Sequence, residues 1–260
     1  EFNVAVGSNT LDALTSGDNN VAVGHNAGTS LTTGVQNATV GDAAGANITT
    51  GSGNVCVGKD TGNAGSTVLT TGSQNIAIGF STMTGTATGT CNIAMGSFAG
   101  CSITSGTANT ALGVKAGCNL TTGSNNIIIG KDAAASAAGA DDEITLGNAN
   151  NDTIRAAVTS ISALSDKRDK KDIKDSVYGL DFVDNLKPVT FEWDRRDGAK
   201  KGLKDVGFVA QDLQEVDDEY TRLVYESNPE KLEATYGRLI PIMAKAIQEL
   251  SAKVKMLENK

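Results

Sequence analysis

Residues 1–140 contain almost no basic or aromatic side chains: Lys59, Lys115 and Lys131 are the only lysines or arginines, and Phe2, Phe80 and Phe98 the only rings. That scarcity, with a net charge of -8, leaves no concentrated positive surface for a phosphate backbone and excludes broad nucleic-acid binding. There is one histidine, His25, so no Cys/His zinc cluster can be completed. Cys56, Cys91, Cys101 and Cys118 form no close pair or metal-ligand spacing and read as free, small apolar residues. Neither metal nor cofactor is expected. No apolar run is long enough to span a bilayer and the start lacks a signal-peptide pattern, so membrane insertion is not expected either. Glu1 and Phe2 read as a start inside a longer repeat array.

The composition changes further along. Residues 165–260 hold 18 of the 22 lysines and arginines, the others being Lys59, Lys115, Lys131 and Arg155, together with Trp193 and all four tyrosines. Two kinds of folded object are joined.

The first half repeats with a period of 17. Asn3-Val4-Ala5-Val6-Gly7 returns as Asn20-Val21-Ala22-Val23-Gly24, Asn37-Ala38-Thr39-Val40-Gly41 and Asn54-Val55-Cys56-Val57-Gly58. After a four-residue insertion it continues at Asn75, Asn92, Asn109 and Asn126, giving eight copies. A second Gly recurs as Gly28, Gly45, Gly62, Gly100 and Gly117, and turn-like segments such as Leu31-Thr32-Thr33-Gly34, Leu69-Thr70-Thr71-Gly72 and Leu120-Thr121-Thr122-Gly123 lie between copies. Apolar residues two apart around a small one predict a short strand with one buried face, and Gly permits tight corners. One 17-residue coil cannot bury its own apolar face, but stacked coils can, so the array predicts a β-solenoid with the recurrent Asn as a ladder bonding to the next coil. Three chains on one axis would protect strand edges and add the buried area that one narrow chain lacks. The repeat resembles the β-roll heads of trimeric autotransporter adhesins and, more closely, the collar-like repeats of tail-fibre proteins, although the adhesin period is usually shorter.

The fibre region is expected over 1–132. Residues 133–164 form a linker with terminal strands: Ala133–Ala138 as a short helix or linker, then strands at Glu143–Gly147 and Thr153–Val158 wound around a shared axis.

Ser165-Asp166-Lys167-Arg168-Asp169-Lys170 marks the junction. A serine hydroxyl needs a base, and a partly desolvated lysine can serve as one. Five positions apart, Ser165 and Lys170 would not share a helix face, whereas a turn leading into a short helix could join them. By composition alone the segment is an ordinary charged helix start with Ser165 as cap.

Residues 165–260 resemble the intramolecular chaperone domain of phage endosialidases, tail fibres and neck appendages, the S74 peptidase family, also present in the myelin regulatory factor family. The matching blocks are Ser165-Asp166, Arg168 and Lys170; Ile173; Leu180 and Leu186-Lys187-Pro188-Val189; Phe191-Glu192-Trp193; Val206 to Gln214, including Gly207, Phe208 and Gln211; and Leu239-Ile240-Pro241. The resemblance implies Ser165 as nucleophile, Lys170 as general base and a single cut between Leu164 and Ser165, made by the chain on itself with no turnover of other substrates. Asp166 and Arg168 would shape the turn. Asp169 stands where many relatives have leucine.

A terminal helix at about 239–259 carries Ile240, Met243, Ile247, Leu250, Val254 and Leu257 at alternating spacings of three and four, a coiled-coil seam, with Glu249 on the wet face. The same pattern would serve a helix packed on its own domain; the resemblance favours a trimer. Phe191 and Trp193 are expected in the core of a small α+β body. The expected fold class is mainly β: an elongated homotrimeric β-solenoid shaft, then an α+β chaperone domain with a long coiled-coil helix.

The function this implies is a viral tail-fibre protein of the virion, assembled in the host cytoplasm, matured by self-proteolysis, and contacting other tail proteins and a host surface receptor such as a glycan or lipopolysaccharide. The alternatives are a trimeric bacterial surface adhesin and a glycan-degrading tailspike. Asp12, Asp18, Asp42, Asp60 and Asp132 are too scattered for a paired-carboxylate glycosidase and read as solvated.

Overall fold

A computed structural model describes residues 2–63, 71–85, 87–151, 153–157, 161–196 and 198–259. The chain divides into two compact units, Glu1–Asn151 and Asp152–Lys260.

The first unit is a parallel β-solenoid of about eight turns. Its three-residue strands are β1 (Val4–Val6), β2 (Val21–Val23), β3 (Ala38–Val40), β4 (Val55–Val57), β5 (Ile76–Ile78), β6 (Ile93–Met95), β7 (Thr110–Leu112), β8 (Ile127–Ile129) and β9 (Ile144–Leu146). They form one nine-stranded sheet in sequence order. Register follows the repeat: Val21 pairs with Ala38, while Val55 pairs with Ile76 across the insertion. The inserted residues, and Leu69 and Thr70 of the third turn-like segment, lie outside the described residues.

The strands bury the opposite residue from the one expected. Ala22, Thr39, Cys56, Ala77, Ala94, Ala111 and Ile128, the middle positions, are buried, whereas the larger flanking residues face outward. The cause is the width of the coil. Leu31, Ile48 and Leu120, from segments read as turns, and Ile103 at the same place in another coil are at most 1% exposed and fill the interior, so the middle strand position opposite them is mostly a small residue, as at Ala22, Ala77, Ala94 and Ala111. The outer face of the sheet therefore carries two apolar columns, with Val6, Val40, Val57, Met95, Leu112, Ile129 and Leu146 exposed in one of them.

The predicted asparagine ladder forms. Asn37 Oδ1 accepts the backbone N–H of Asn54 at 3.0 Å, and Asn37 Nδ2 donates to the Gly51 carbonyl at 2.9 Å. These amides are buried, so each rung satisfies groups that would otherwise be costly to desolvate. The ladder ends at Glu143, whose N–H donates to Asn126 Oδ1 at 2.9 Å while its carboxylate accepts from Ser136. Gly24 (φ 136°) shows why glycine closes each strand: a Cβ there would lie 2.4 Å from the Gly41 carbonyl oxygen of the next coil.

Ala133, Ala135 and Ala140 are buried against the same core, so the alanine-rich segment is coil, not a helix. β9 pairs with β8 of its own chain and does not wind away from it. Thr153–Ala157 form no strand, and Val158 lies outside the described residues. Two cysteines depart from expectation: Cys101 and Cys118, one repeat apart, stack on adjacent coils and form a disulfide. Cys56 and Cys91 are free, and burial pushes the Cys56 thiol up to about 12.

The second unit is α+β. Its elements are α1 (Leu180–Asp184), β10 (Val189–Glu192), β11 (Lys204–Gly207), α2 (Ala210–Gln214), β12 (Val224–Tyr225), β13 (Glu233–Ala234) and α3 (Leu239–Glu258). β10 pairs antiparallel with β11, and β12 with β13. Leu213, Leu223, Val224, Leu239 and Ile242 make the core, with Phe182 and Phe208 packed against it. Phe191 and Trp193 are only half-buried, stacked edge to face at 5.1 Å along an open groove of about 790 Å³ that also takes in Tyr236. α3 has two distinct faces. Leu239, Ile242 and Ala246 are buried in the unit, while the whole seam Ile240, Met243, Ile247, Leu250, Val254 and Leu257 is exposed. Glu249, expected on the wet face, caps α1: its carboxylate accepts the Leu180 N–H at 2.8 Å, and that bond, with Lys245 helping, holds it below the usual carboxylate range.

Candidate active site

Residues 161–177 are exposed throughout, and the only regular element among them is a single 3-10 turn at Lys167–Asp169. Asp166 starts that turn with an extended backbone (φ -66°, ψ 137°), and its Oδ1 accepts the Arg168 N–H at 2.9 Å. The Arg168 guanidinium grips the same carboxylate, with Nη2 2.6 Å from Oδ2. This side-chain bond first, and the backbone bond second, hold Asp166 below the usual carboxylate range. Bonds from Asp169 N–H to the Asp166 carbonyl and from Lys170 N–H to the Lys167 carbonyl, both 3.2 Å, close the turn.

Lys170 leaves the turn extended (φ -123°, ψ 141°). A continuous helix would set residues five apart well around the barrel from each other. A tight turn followed by an extended residue instead lets the lysine stem run back, and Lys170 Nζ donates to Ser165 Oγ at 2.6 Å. The Ser165 hydroxyl and the Lys170 amine are thus in direct contact, next to a fully exposed Leu164.

The other residues of the family pattern lie elsewhere in the unit. Gly207 ends β11, the Phe208 N–H donates to the Tyr236 hydroxyl at 3.1 Å, and Gln211 sits exposed on α2. Among the described residues none of the three hydrogen-bonds Ser165 or Lys170; they build the body that carries the turn. The groove beside Trp193 contains neither member of the pair. Sequence reasoning missed Asp217, which gathers Thr221 Oγ1 and the N–H groups of Asp218, Leu223 and Val224. Its partners follow it in a loop with no pattern of their own, so no spacing signal announced it. Among the described residues no cluster of His, Cys, Asp and Glu could hold a metal ion.

Residues 165–224 match the family model described as chaperone of endosialidase, of the S74 peptidases. The match begins on Ser165. No curated protein and no solved structure matches the chain. The family match implies a chaperone released by autoproteolysis, and with the β-solenoid before it fits a fibre- or tailspike-like protein with a C-terminal chaperone domain.

Proposed function

We propose that the chain is the distal part of a homotrimeric phage tail fibre whose C-terminal unit holds three chains in register during folding and is then cut off between Leu164 and Ser165. The observation carrying this reading is the 2.6 Å contact between Lys170 Nζ and Ser165 Oγ at the first residue of the matched segment. Neutral Lys170 takes the Ser165 proton as Oγ attacks the Leu164 carbonyl carbon. The C–N bond breaks, the proton passes to the departing Ser165 amine, and an ester links Leu164 to Oγ. Water then cleaves the ester, leaving a Leu164 carboxylate and a fragment beginning with Ser165.

Both side chains are exposed in one chain, and a lysine becomes a base only when water is taken from its ammonium. Assembly supplies that burial, which ties the cut to completed folding. Two surfaces support assembly. The outer face of the solenoid sheet is an apolar ladder about 40 Å long and roughly 10 Å wide, on the order of 400 Å², as large a patch as a monomer ordinarily exposes. The seam of α3 is a second, separate from the face that packs on its own unit. The fibre would be part of the virion, joined to other tail proteins and touching a host surface receptor.

The test is denaturing intact mass spectrometry of the parent beside Ser165→Ala, with native mass spectrometry of both. Expected are two fragments dividing after Leu164 in the parent, one full-length species in the variant, and a threefold assembly in each. A parent that stays whole on incubation overturns the cleavage reading.

A further inference from the structure

One corner of the solenoid, the two residues after each strand-ending glycine, differs in chemistry from the rest of the surface. Lys59, Lys115 and Lys131, the lone His25, and Phe80 and Phe98 all lie there. Backbone bonds stack this corner from coil to coil: Phe98 N–H to the Phe80 carbonyl at 2.9 Å, then Lys115 N–H to the Ser97 carbonyl at 2.9 Å.

On three successive coils the corner reads Phe80-Ser81, Ser97-Phe98 and Val114-Lys115. Phe80, Phe98 and Val114 are 44%, 37% and 43% exposed, and the two rings meet edge to face at 5.3 Å. Lys59 is tied to Asp42 at 2.8 Å and Lys131 lies 3.6 Å from Asp132, while Lys115 has no ion partner among the described residues. Phe98 also has a left-handed backbone (φ 59°), which a bulky residue adopts at a cost. Asn9 and Asn26 hold the same place with φ 55°, and asparagine suits that conformation better. An aromatic ring placed where the fold would be better served by asparagine points to use rather than stability.

We propose that Phe80, Phe98, Val114 and Lys115, with the Ser81 and Ser97 hydroxyls, form a binding site for a saccharide bearing an acidic group. The C–H face of a sugar ring stacks on an aromatic face, its hydroxyls meet the two serines at the rim, and Lys115 pairs with a carboxylate, sulfate or phosphate. A shallow patch of alternating apolar and polar groups suits such a ligand; a wholly apolar one needs an enclosed pocket. A second copy of the chain is the poorer fit. An axis shared along the fibre calls for the same kind of residue at every level, which the sheet face provides, whereas this corner carries Ser8, His25, Asp42 and Lys59 on the preceding coils.

This inference rests on the fibre reading and deepens its receptor contact. Its test is saturation-transfer NMR on the assembled, cleaved fibre with sialyllactose, a chondroitin sulfate disaccharide and glucose 6-phosphate, each at millimolar concentration, and neutral lactose for comparison. At least one acidic sugar should receive saturation on its ring C–H protons. Phe80→Ser and Phe98→Asn, which place residues already used at this corner in other coils, should abolish the transfer without lowering the unfolding temperature. Lys115→Gln should weaken acidic-sugar binding about tenfold and leave lactose unchanged. Silence from all three acidic sugars overturns the site, as does transfer that survives both phenylalanine changes. A fall in native mass in Phe98→Asn overturns it too, by assigning the patch to contact between copies. The parent's own cleavage and native mass are read on the same sample. A cut, threefold but sugar-silent fibre defeats only this site, whereas an uncut monomer defeats the fibre reading beneath it.

Discussion

At Asp217 one carboxylate serves four donors: Oδ1 accepts from Thr221 Oγ1 at 2.6 Å, Leu223 N–H at 2.7 Å and Asp218 N–H at 3.0 Å, and Oδ2 from Val224 N–H at 3.0 Å. Burial pushes this carboxyl up, but the donors together outweigh it, and Asp217 lies below the ordinary aspartate value. A group depressed in the folded state stabilises it above the unfolded value of about 3.9, and that stability is lost as pH falls through the folded value. Asp217→Asn should cost about 1–3 kcal/mol near neutral pH and flatten the acid limb below about pH 4, read by Trp193 fluorescence during guanidinium unfolding. An unchanged acid limb would remove Asp217 as its source. The proposed cleavage pair allows a sharper substitution. Lys170→Arg keeps a charged donor beside Ser165, yet arginine does not give up its proton, so the variant should assemble with unaltered native mass and remain uncut. A cut arginine variant would deny Lys170 the role of base. The contact between Ser165 and Lys170 was open in the sequence only as one geometry that a turn could allow, because a spacing of five does not by itself announce a 3-10 turn.

Among elements, the strands were legible in place and register but not in polarity. The period of 17 fixed where β1 to β8 lie; which side of them is buried depends on Leu31, Ile48 and Leu120 reaching across the coil, a long-range fact that a three-residue strand cannot carry. Cys101 and Cys118 were read as free for a related reason: residues 17 apart are neighbours only after the coils have stacked. Closing a loop of that length is worth about 3 kcal/mol in the chain-entropy account. The parent should therefore lose about that much stability on reduction, while the Cys101→Ser, Cys118→Ser double variant should be insensitive to reductant. Equal sensitivity in both would place the effect elsewhere. In α3 the seam was readable, but its separation from the packing face was not. Ile247→Glu with Leu250→Glu, on the exposed face, should prevent assembly and cleavage while leaving the unit folded. Ile242→Ala, at 5% exposure, should instead destabilise the unit itself by about 2–5 kcal/mol. Native mass and Trp193 fluorescence separate the two outcomes.

For the whole molecule the difficulty is register. Every coil offers the next the same asparagine, the same glycine corner and nearly the same strand, so a chain slipped by 17 residues still makes most of its ladder. Three chains on an axis, as proposed, would multiply those slipped states, and pairing that depends on distant residues is slow to correct. In the proposed trimer, a terminal unit that assembles through its own core and helix would set one end of all three chains at once, and the solenoid would then grow from an aligned start. If the unit is then cut away as proposed, the fibre loses the part that aligned it. It follows that the cleaved fibre, fully unfolded in guanidinium and diluted, should fail to recover its threefold mass, while uncleaved Ser165→Ala treated alike should recover it. Equal recovery would mean that the repeat finds its own register and that the C-terminal unit has some use other than alignment. Failure of the cleaved form alone would make the cut a one-way step, with fibre durability set by the barrier to unfolding rather than by the depth of the folded state.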